Sequence, residues 1–331
     1  MAAFYFIGGL VVLAGGFVLG KQLILLKKGN ARVARDIRET RYDKLSDMGS
    51  VDHLSVLPLV DYYTDDERLK TEAGVSYLIR TDTVTLLMDV GLNKAAAHPS
   101  ALLHNMQTLG ISTADIDALF ISHLHLDHVG GMAEQKNGEF SLSRGNVQMR
   151  KIPAYTPVPM TPSGRNPGPE IKINTAPAIL YPAIADIGVI PRNLFLMGYT
   201  LEHSLAVNVA GKGIVLIIGC GHQTIEEILK RTKALFDEPI YGIIGGLHFP
   251  VKSGRIKLGP INIQKLVGSD RPPWRGLNEK DVDHAIEAIK DADPGFIALS
   301  PHDSCDWSLN RFKAAFGDKY HDLKVGREMT L

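Results

Sequence analysis

From about Asp52 onward the apolar positions fall into short runs bounded by Gly, Asp and Asn. HLSVLPLV (53–60), GVSYLIR (74–80), TVTLLMDVG (83–91) and ALFISH (118–123) are rich in β-branched and aliphatic residues, which predicts strands. PSALLHNMQTLG (99–110) has helical spacing and ends at Gly110, a residue suited to a left-handed C-cap. SLAVNVAGKGIVLIIG (204–219) predicts a hairpin turning at Gly211–Gly213. TIEEILKRTKALF (224–236) predicts an amphipathic helix with Thr224 as N-cap. IYGIIGG (240–246), NEKDVDHAIEAIKDA (278–292), GFIALSPH (295–302) and SLNRFKAAFG (308–317) continue as strand, helix, strand and helix. Alternation of this kind predicts layered α/β architecture. Between Met132 and Tyr199 the pattern breaks, because nine of the 18 prolines lie there. The segment 133–199 is expected to be an irregular insertion serving as a lid or binding loop.

The N-terminus differs from everything after it. Ala2–Gly20 carries no charge, and as a helix it would span about 28 Å, close to the ~30 Å hydrocarbon core of a bilayer. Lys27, Lys28, Arg32, Arg35 and Arg38 follow. This predicts a transmembrane anchor over 1–28, a basic and charged linker over 29–50, and a domain over 51–331 on the cytoplasmic side of a single-pass membrane protein. A cleaved signal peptide lacks its basic leading region here. A water-soluble helix would be weakened by Gly8, Gly9, Gly15, Gly16 and Gly20. The G-x-x-x-G pair Gly16/Gly20 raises the prospect of a homodimer.

Composition narrows the function classes. Lys+Arg and Asp+Glu both count 36, so no global basic field exists and no nucleic-acid partner is expected. Two cysteines, Cys220 and Cys305, do not make a disulfide framework. No P-loop, dinucleotide fingerprint, G-x-S-x-G elbow or H-E-x-x-H helix occurs.

The chemistry concentrates in His123-Leu-His125-Leu-Asp127-His128, directly after an apolar strand. A chain turning at a strand end can aim three imidazoles and a carboxylate at one point, a donor set suited to zinc, iron or manganese. Gly130 and Gly131 follow and permit a tight turn. Further histidines end later apolar runs: His222 after Gly219-Cys220-Gly221, His248 in GGLH, and His302 in SPHDSC. His203 begins a strand after Glu202, and Trp274 sits in a Pro-rich loop; either is a weaker candidate for touching substrate. His53, His98, His104, His284 and His321 read as surface or packing residues.

With H-x-H-x-D-H after a strand, an Asp-x-Gly earlier and isolated strand-end histidines later, residues 54–331 resemble the metallo-β-lactamase superfamily. GKGIVLIIGCGHQTIEEIL and IYGIIGGLHFP are similar to the branch that includes dihydropterin–ribofuranosylaminobenzene phosphate synthase. The resemblance implies a four-layer αββα sandwich. It implies that His123 and His125 serve one metal and Asp127 and His128 another, that His222 is a further ligand, and that Asp89 supports the ligand histidines. Cys220 stands near where many members carry a metal-bridging aspartate, and is either a thiolate ligand or a small buried residue. His302 matches the final ligand by chain order, whereas His248 carries the mark of the branch. Where relatives in the branch show His-Cys-Thr-Gly, this chain has His302-Asp303-Ser304-Cys305.

The expected activity is membrane-anchored, metal-dependent hydrolysis of an ester, lactone or phosphodiester in a small or lipid-like substrate. Zinc, as one or two ions, is the expected cofactor, with Asp127 orienting water or accepting its proton. A pterin/arylamine phosphate transferase is the alternative within the resemblance. A non-catalytic metal-binding or sensor protein is the alternative outside it.

Overall fold

The computed structural model describes the backbone of residues 2–331 and the side chains from residue 16 on, Leu258 excepted. Two sheets face each other. The seven-stranded sheet runs Met329–Thr330, Leu54–Val60, Ser76–Thr81, Thr85–Met88, Ala118–Phe120, Pro153–Thr156, Glu170–Ile173. The six-stranded sheet runs Phe296–Leu299, Ile240–Gly245, Gly213–Ile218, Leu205–Val209, Ile184–Asp186, Ala178–Tyr181.

Three buried clusters define the layers. Val56, Ile79, Leu86 and Phe120 of the first sheet meet Val207, Ile217, Ile244 and Ala298 of the second. On the outer side of the first sheet, Leu87 and Leu119 pack with Leu102 and Met106 of helix Ala101–Thr108. On the outer side of the second, Leu216 and Ile243 pack with Ile228, Val282 and Phe312. These come from helices Ile225–Leu235, Glu279–Lys290 and Asp306–Phe316. The layers are therefore helix, sheet, sheet, helix. Sheets covered on both faces need near-continuous apolar strands. Gly213–Ile218 (GIVLII) meets that demand with every residue buried.

Strand direction sets up one rim. Thr85–Met88 pairs parallel with Ala118–Phe120, and helix Ala101–Thr108 lies between them in sequence. Gly213–Ile218, Ile240–Gly245 and Phe296–Leu299 are likewise parallel, with helices as crossovers. Parallel strands all end on the same side, where α/β folds gather their ligands. Asp89, His123, Cys220, His222, His248 and His302 all follow such strand ends.

Among the described residues no helix is long and apolar enough to cross a membrane. This overturns the expected transmembrane anchor and, with it, single-pass membrane localisation. The physical reason lies in the described part of helix Ala2–Glu39. From Gly16 on it carries Lys21, Lys27, Lys28, Arg32, Arg35, Asp36 and Arg38. It buries Leu26 and Val33, and so behaves as a surface helix packed on protein. Asn193 Nδ2 donates to the Leu26 carbonyl at 3.1 Å and to Asn30 Oδ1 at 3.0 Å. The Tyr199 hydroxyl donates to Asp36 at 2.8 Å. The uncharged side chains of residues 1–15, on which the anchor expectation chiefly rested, lie outside the described residues.

The Pro-rich segment supplies Pro153–Thr156 and Glu170–Ile173 to the first sheet and Ala178–Tyr181 and Ile184–Asp186 to the second. It also forms the hairpin Ile190–Leu194/Gly198–Glu202 that receives the N-terminal helix. Thr224 takes the N-cap position as expected and its carbonyl accepts the Ile228 amide at 3.1 Å, but at φ 72° its hydroxyl makes no hydrogen bond to the helix.

Candidate metal centre

The turn after Ala118–Phe120 is held by Asp89. Its carboxylate accepts from the Ser122 amide (2.7 Å), the Ser122 hydroxyl (2.7 Å) and His128 Nδ1 (2.7 Å), all fully buried. Asp89 takes a left-handed φ of 57° to do so. Ser122 Oγ lies 3.0 Å from His123 Nδ1. Gly130, at φ 94°, then lets the chain pass so close to Ser141 that a Cβ would fall 2.2 Å from its carbonyl oxygen.

The second contribution comes from the loop after Gly213–Ile218. The buried Glu202 carboxylate accepts the amides of Cys220 (3.0 Å), Gly221 (2.8 Å) and His222 (2.9 Å), which fixes this loop. Burial pushes Glu202 up to about 7 against the pull of those amides. The third comes from the loop after Phe296–Leu299. Ser300 Oγ contacts His302 Nδ1 and donates to Asp61 Oδ2, each at 2.5 Å. Asp303 Oδ2 accepts the His248 amide at 2.9 Å, tying two loops together.

These loops bring candidate ligand atoms into three overlapping sets, each within 4.8 Å: His123, His125 and His222; Asp127, His128, Cys220 and His302; and Cys220, His222 and His248. His125 Nδ1 lies 3.2 Å from His222 Nε2. Cys220 Sγ stands 3.0 Å from His128 Nε2 and 3.2 Å from His302 Nε2. The final-ligand alternatives thus occupy different sites. His302 joins Asp127 and His128, while the His248 ring lies tilted against His222 with centroids 4.3 Å apart. His222 and His248 line a pocket of about 280 Å³ with Arg192, Thr224, Ser269 and Arg271.

Electrostatics around five of the six clustered histidines suit cation binding. Burial, reinforced by neighbouring imidazoles, holds His123, His222 and His302 well below the ordinary histidine range. It lowers His125 to about 3 and His248 to about 4. Neutral imidazole is the ligating form. Burial also disfavours the His128 imidazolium, but the carboxylates of Asp89 and Asp127 outweigh it and raise His128 to about 9. Burial raises Asp127, and pushes the Cys220 thiol far up.

His123 Nε2, His222 Nδ1 and both nitrogens of His248 are buried without a hydrogen-bond partner. Each such atom costs about 1–3 kcal/mol when left unsatisfied. A divalent metal in the first set satisfies the His123 nitrogen, so the residues fit the ion that the donor chemistry implies. His203 is different. Its Nδ1 contacts Asp186 at 2.6 Å, its Nε2 contacts the Ile121 carbonyl at 2.9 Å, and its ring stacks on Phe120. Trp274 is 61% exposed in the short turn Pro273–Arg275 and does not line the pocket of His222 and His248.

Ser122, Glu202, Ser300 and Asp303 went unassigned in the sequence. For three of them the signal is proximity, since Ser122 precedes His123, Asp303 follows His302 and Ser300 stands two positions before it; Glu202, which holds the 220–222 amides, has none.

The fold recurs in solved structures. Tm1679, a metal-dependent hydrolase of the β-lactamase superfamily, superposes with a TM-score of 0.56 at 17% identity, covering 83% of this chain and 98% of its own. Zn(2+)-bound PqqB from Methylobacterium extorquens superposes with a TM-score of 0.51 at 10% identity, covering 84% and 100%. In sequence, the chain is 24% identical over 237 residues to the 7,8-dihydropterin-6-methyl-4-(beta-D-ribofuranosyl)-aminobenzene-5'-phosphate synthase of Methanocaldococcus jannaschii, covering 62% of this chain and 80% of that protein. The family described as anti-Pycsar protein Apyc1 matches residues 69–148. The chain has the metallo-β-lactamase fold, and its buried histidine, aspartate and cysteine sets offer ligand atoms suited to a divalent metal. Within that fold's superfamily, the chain resembles the branch of the archaeal synthase.

Proposed function

We propose that the chain is a metal-dependent hydrolase acting on an ester, lactone or phosphodiester. The observation that carries the reading is the pair of buried ligand sets at one rim, with Nε2 of His123 in the first set buried and unpartnered. His123, His125 and His222 would hold one ion; Asp127, His128 and His302, with Cys220, would hold a second. Zinc fits these nitrogen, oxygen and sulfur donors, and iron or manganese suits the same imidazoles and carboxylate. When bound, the metal supplies Lewis acidity towards the electrophile and raises the acidity of water.

The chain's own groups do the rest. Asp127 is buried, and burial raises its affinity for a proton; where it is not held as a ligand of the second ion, it is the carboxylate that would take a proton from the attacking water. Asp89 and Ser122 fix the ring of His128. The His248 ring, with neither nitrogen engaged, suits holding a substrate oxygen in the pocket beside His222. Turnover of a panel of lactones, phosphodiesters and aryl esters, with Asp127→Asn as control, tests the reading. Metal-dependent hydrolysis of one class, lost in the variant, supports it; a metal-loaded protein inert towards all three opposes it.

The likeness to the archaeal synthase supports a second reading, in which the same residues join a pterin to an arylamine phosphate. A condensed product from pterin diphosphate and the arylamine phosphate, formed without hydrolysis of the panel, would replace the first reading with the second.

A further inference from the structure

The metal loop also borders a much larger cleft. Leu126, between His125 and Asp127, lines a cavity of about 1040 Å³ together with residues 92–97, Pro99, Ala101, Met132, Ala133 and Ile256. Its lining has an apolar part: Leu92, Ala95, Ala97, Pro99, Leu126 and Met132. Met132 is 49% exposed there, and methionine adapts to varied apolar partners.

The rim has one sign of charge. Lys70, Lys94, Lys136 and Lys257 line it, and none makes an ion pair among the described residues. Arg144 and Arg255 also line it but are paired, with Glu134 at 2.9 Å and Asp306 at 2.6 Å. The only carboxylate in the lining, Glu72, is consumed by backbone. It accepts the amides of Leu92 (2.8 Å), Asn93 (3.0 Å) and Lys94 (3.4 Å). The wall it anchors is pre-formed, because Asn93 clamps Ala97 through both its side-chain oxygen (2.9 Å) and its amide (3.1 Å). A site shaped before binding spends less of its interaction energy on ordering.

We propose that this cleft seats the apolar body of an anionic amphiphile, with the anionic group held by the lysine rim. An apolar lining alone would take a neutral hydrocarbon, and lysines alone would take a free anion. Their juxtaposition, with the lone carboxylate already occupied, selects a molecule bearing both. The cleft adjoins the metal loop through Leu126, so this amphiphile is the substrate class of the proposed hydrolase; only that last identification rests on the hydrolase reading.

Calorimetric binding to the full chain tests it without turnover, with dodecyl phosphate, dodecyl maltoside and inorganic phosphate as probes. Dodecyl phosphate is expected to bind at least about tenfold more tightly than either of the others, each lacking one half of the recognition. The double variant Lys94→Glu/Lys136→Glu is expected to weaken dodecyl phosphate by about tenfold or more, and Ala96→Trp, which narrows the mouth, to weaken it while leaving metal content unchanged. Equal binding of dodecyl maltoside, or undiminished binding of dodecyl phosphate in the charge-reversed variant, would overturn the proposal. Tight binding with no hydrolysis of any substrate would leave the cleft standing and remove the hydrolase reading instead.

Discussion

His128 Nδ1 lies 2.7 Å from Asp89 Oδ2, and both side chains are fully buried. The contact orients the ring so that Nε2 faces Cys220, with Asp127 Oδ2 3.8 Å away. A carboxylate behind a ligating imidazole fixes its tautomer and raises its basicity, and losing such a partner costs about 10–100-fold in metal affinity. Asp89→Ala is therefore expected to weaken metal binding by about that factor, measured by competition with a chromogenic chelator. Because Asp89 also fixes Ser122, the thermal melt of the metal-free variant should be recorded alongside, and a loss of metal affinity at an unchanged melt identifies positioning rather than folding.

The two candidates for final ligand fall in different sets that share Cys220. His302 shares its set with Asp127 and His128, whereas His248 sits beside His222 at the pocket. His302→Ala is expected to lower bound metal by about one equivalent in a two-ion site. His248→Ala is expected to keep the metal and lower turnover. Elemental analysis of both variants decides it; the reverse pattern would make His248 the ligand.

Gly268 approaches His248 closely. An ideal Cβ there would lie 1.8 Å from His248 Nε2 and 2.6 Å from the Gln264 carbonyl oxygen. Gly268→Ala must displace the ring, so turnover is expected to fall while metal content stays at the wild-type level. A fully active alanine variant would show that the ring has no fixed role.

His203 links the sheets. Removing it by His203→Ala takes one hydrogen-bond partner from the buried Asp186, which keeps Asn174 and the Gly188 amide, and losing such a buried hydrogen bond costs about 1–3 kcal/mol. A lower denaturation midpoint, with metal content retained in the folded fraction, is the expected result. An unchanged midpoint with lost turnover would instead favour substrate contact.

What the sequence revealed follows from where the information sits. His123, His125, Asp127 and His128 are contiguous, so their convergence needs only one turn at a strand end. Gly213–Ile218 and Ile240–Gly245 are buried in all or nearly all positions and read as apolar runs. The short strands at Pro153–Thr156 and Ile190–Leu194 were hidden because each contains a proline and takes its order from tertiary pairing. The N-terminal helix misled for a related reason. An uncharged run signals a helix but not its surroundings, and the docking of Leu26, Asn30 and Asp36 depends on Asn193 and Tyr199, more than 160 positions away. Glu202 was passed over for its neighbour His203 because three backbone amides leave no mark on a sequence.

Metal content tests the central claim most directly. The account predicts that the protein purified without chelators carries near-stoichiometric divalent metal, zinc foremost, and that His123→Ala/His125→Ala removes the ion of the first set. A wild-type protein that neither carries nor takes up metal, or a double variant that retains the full complement, would contradict it.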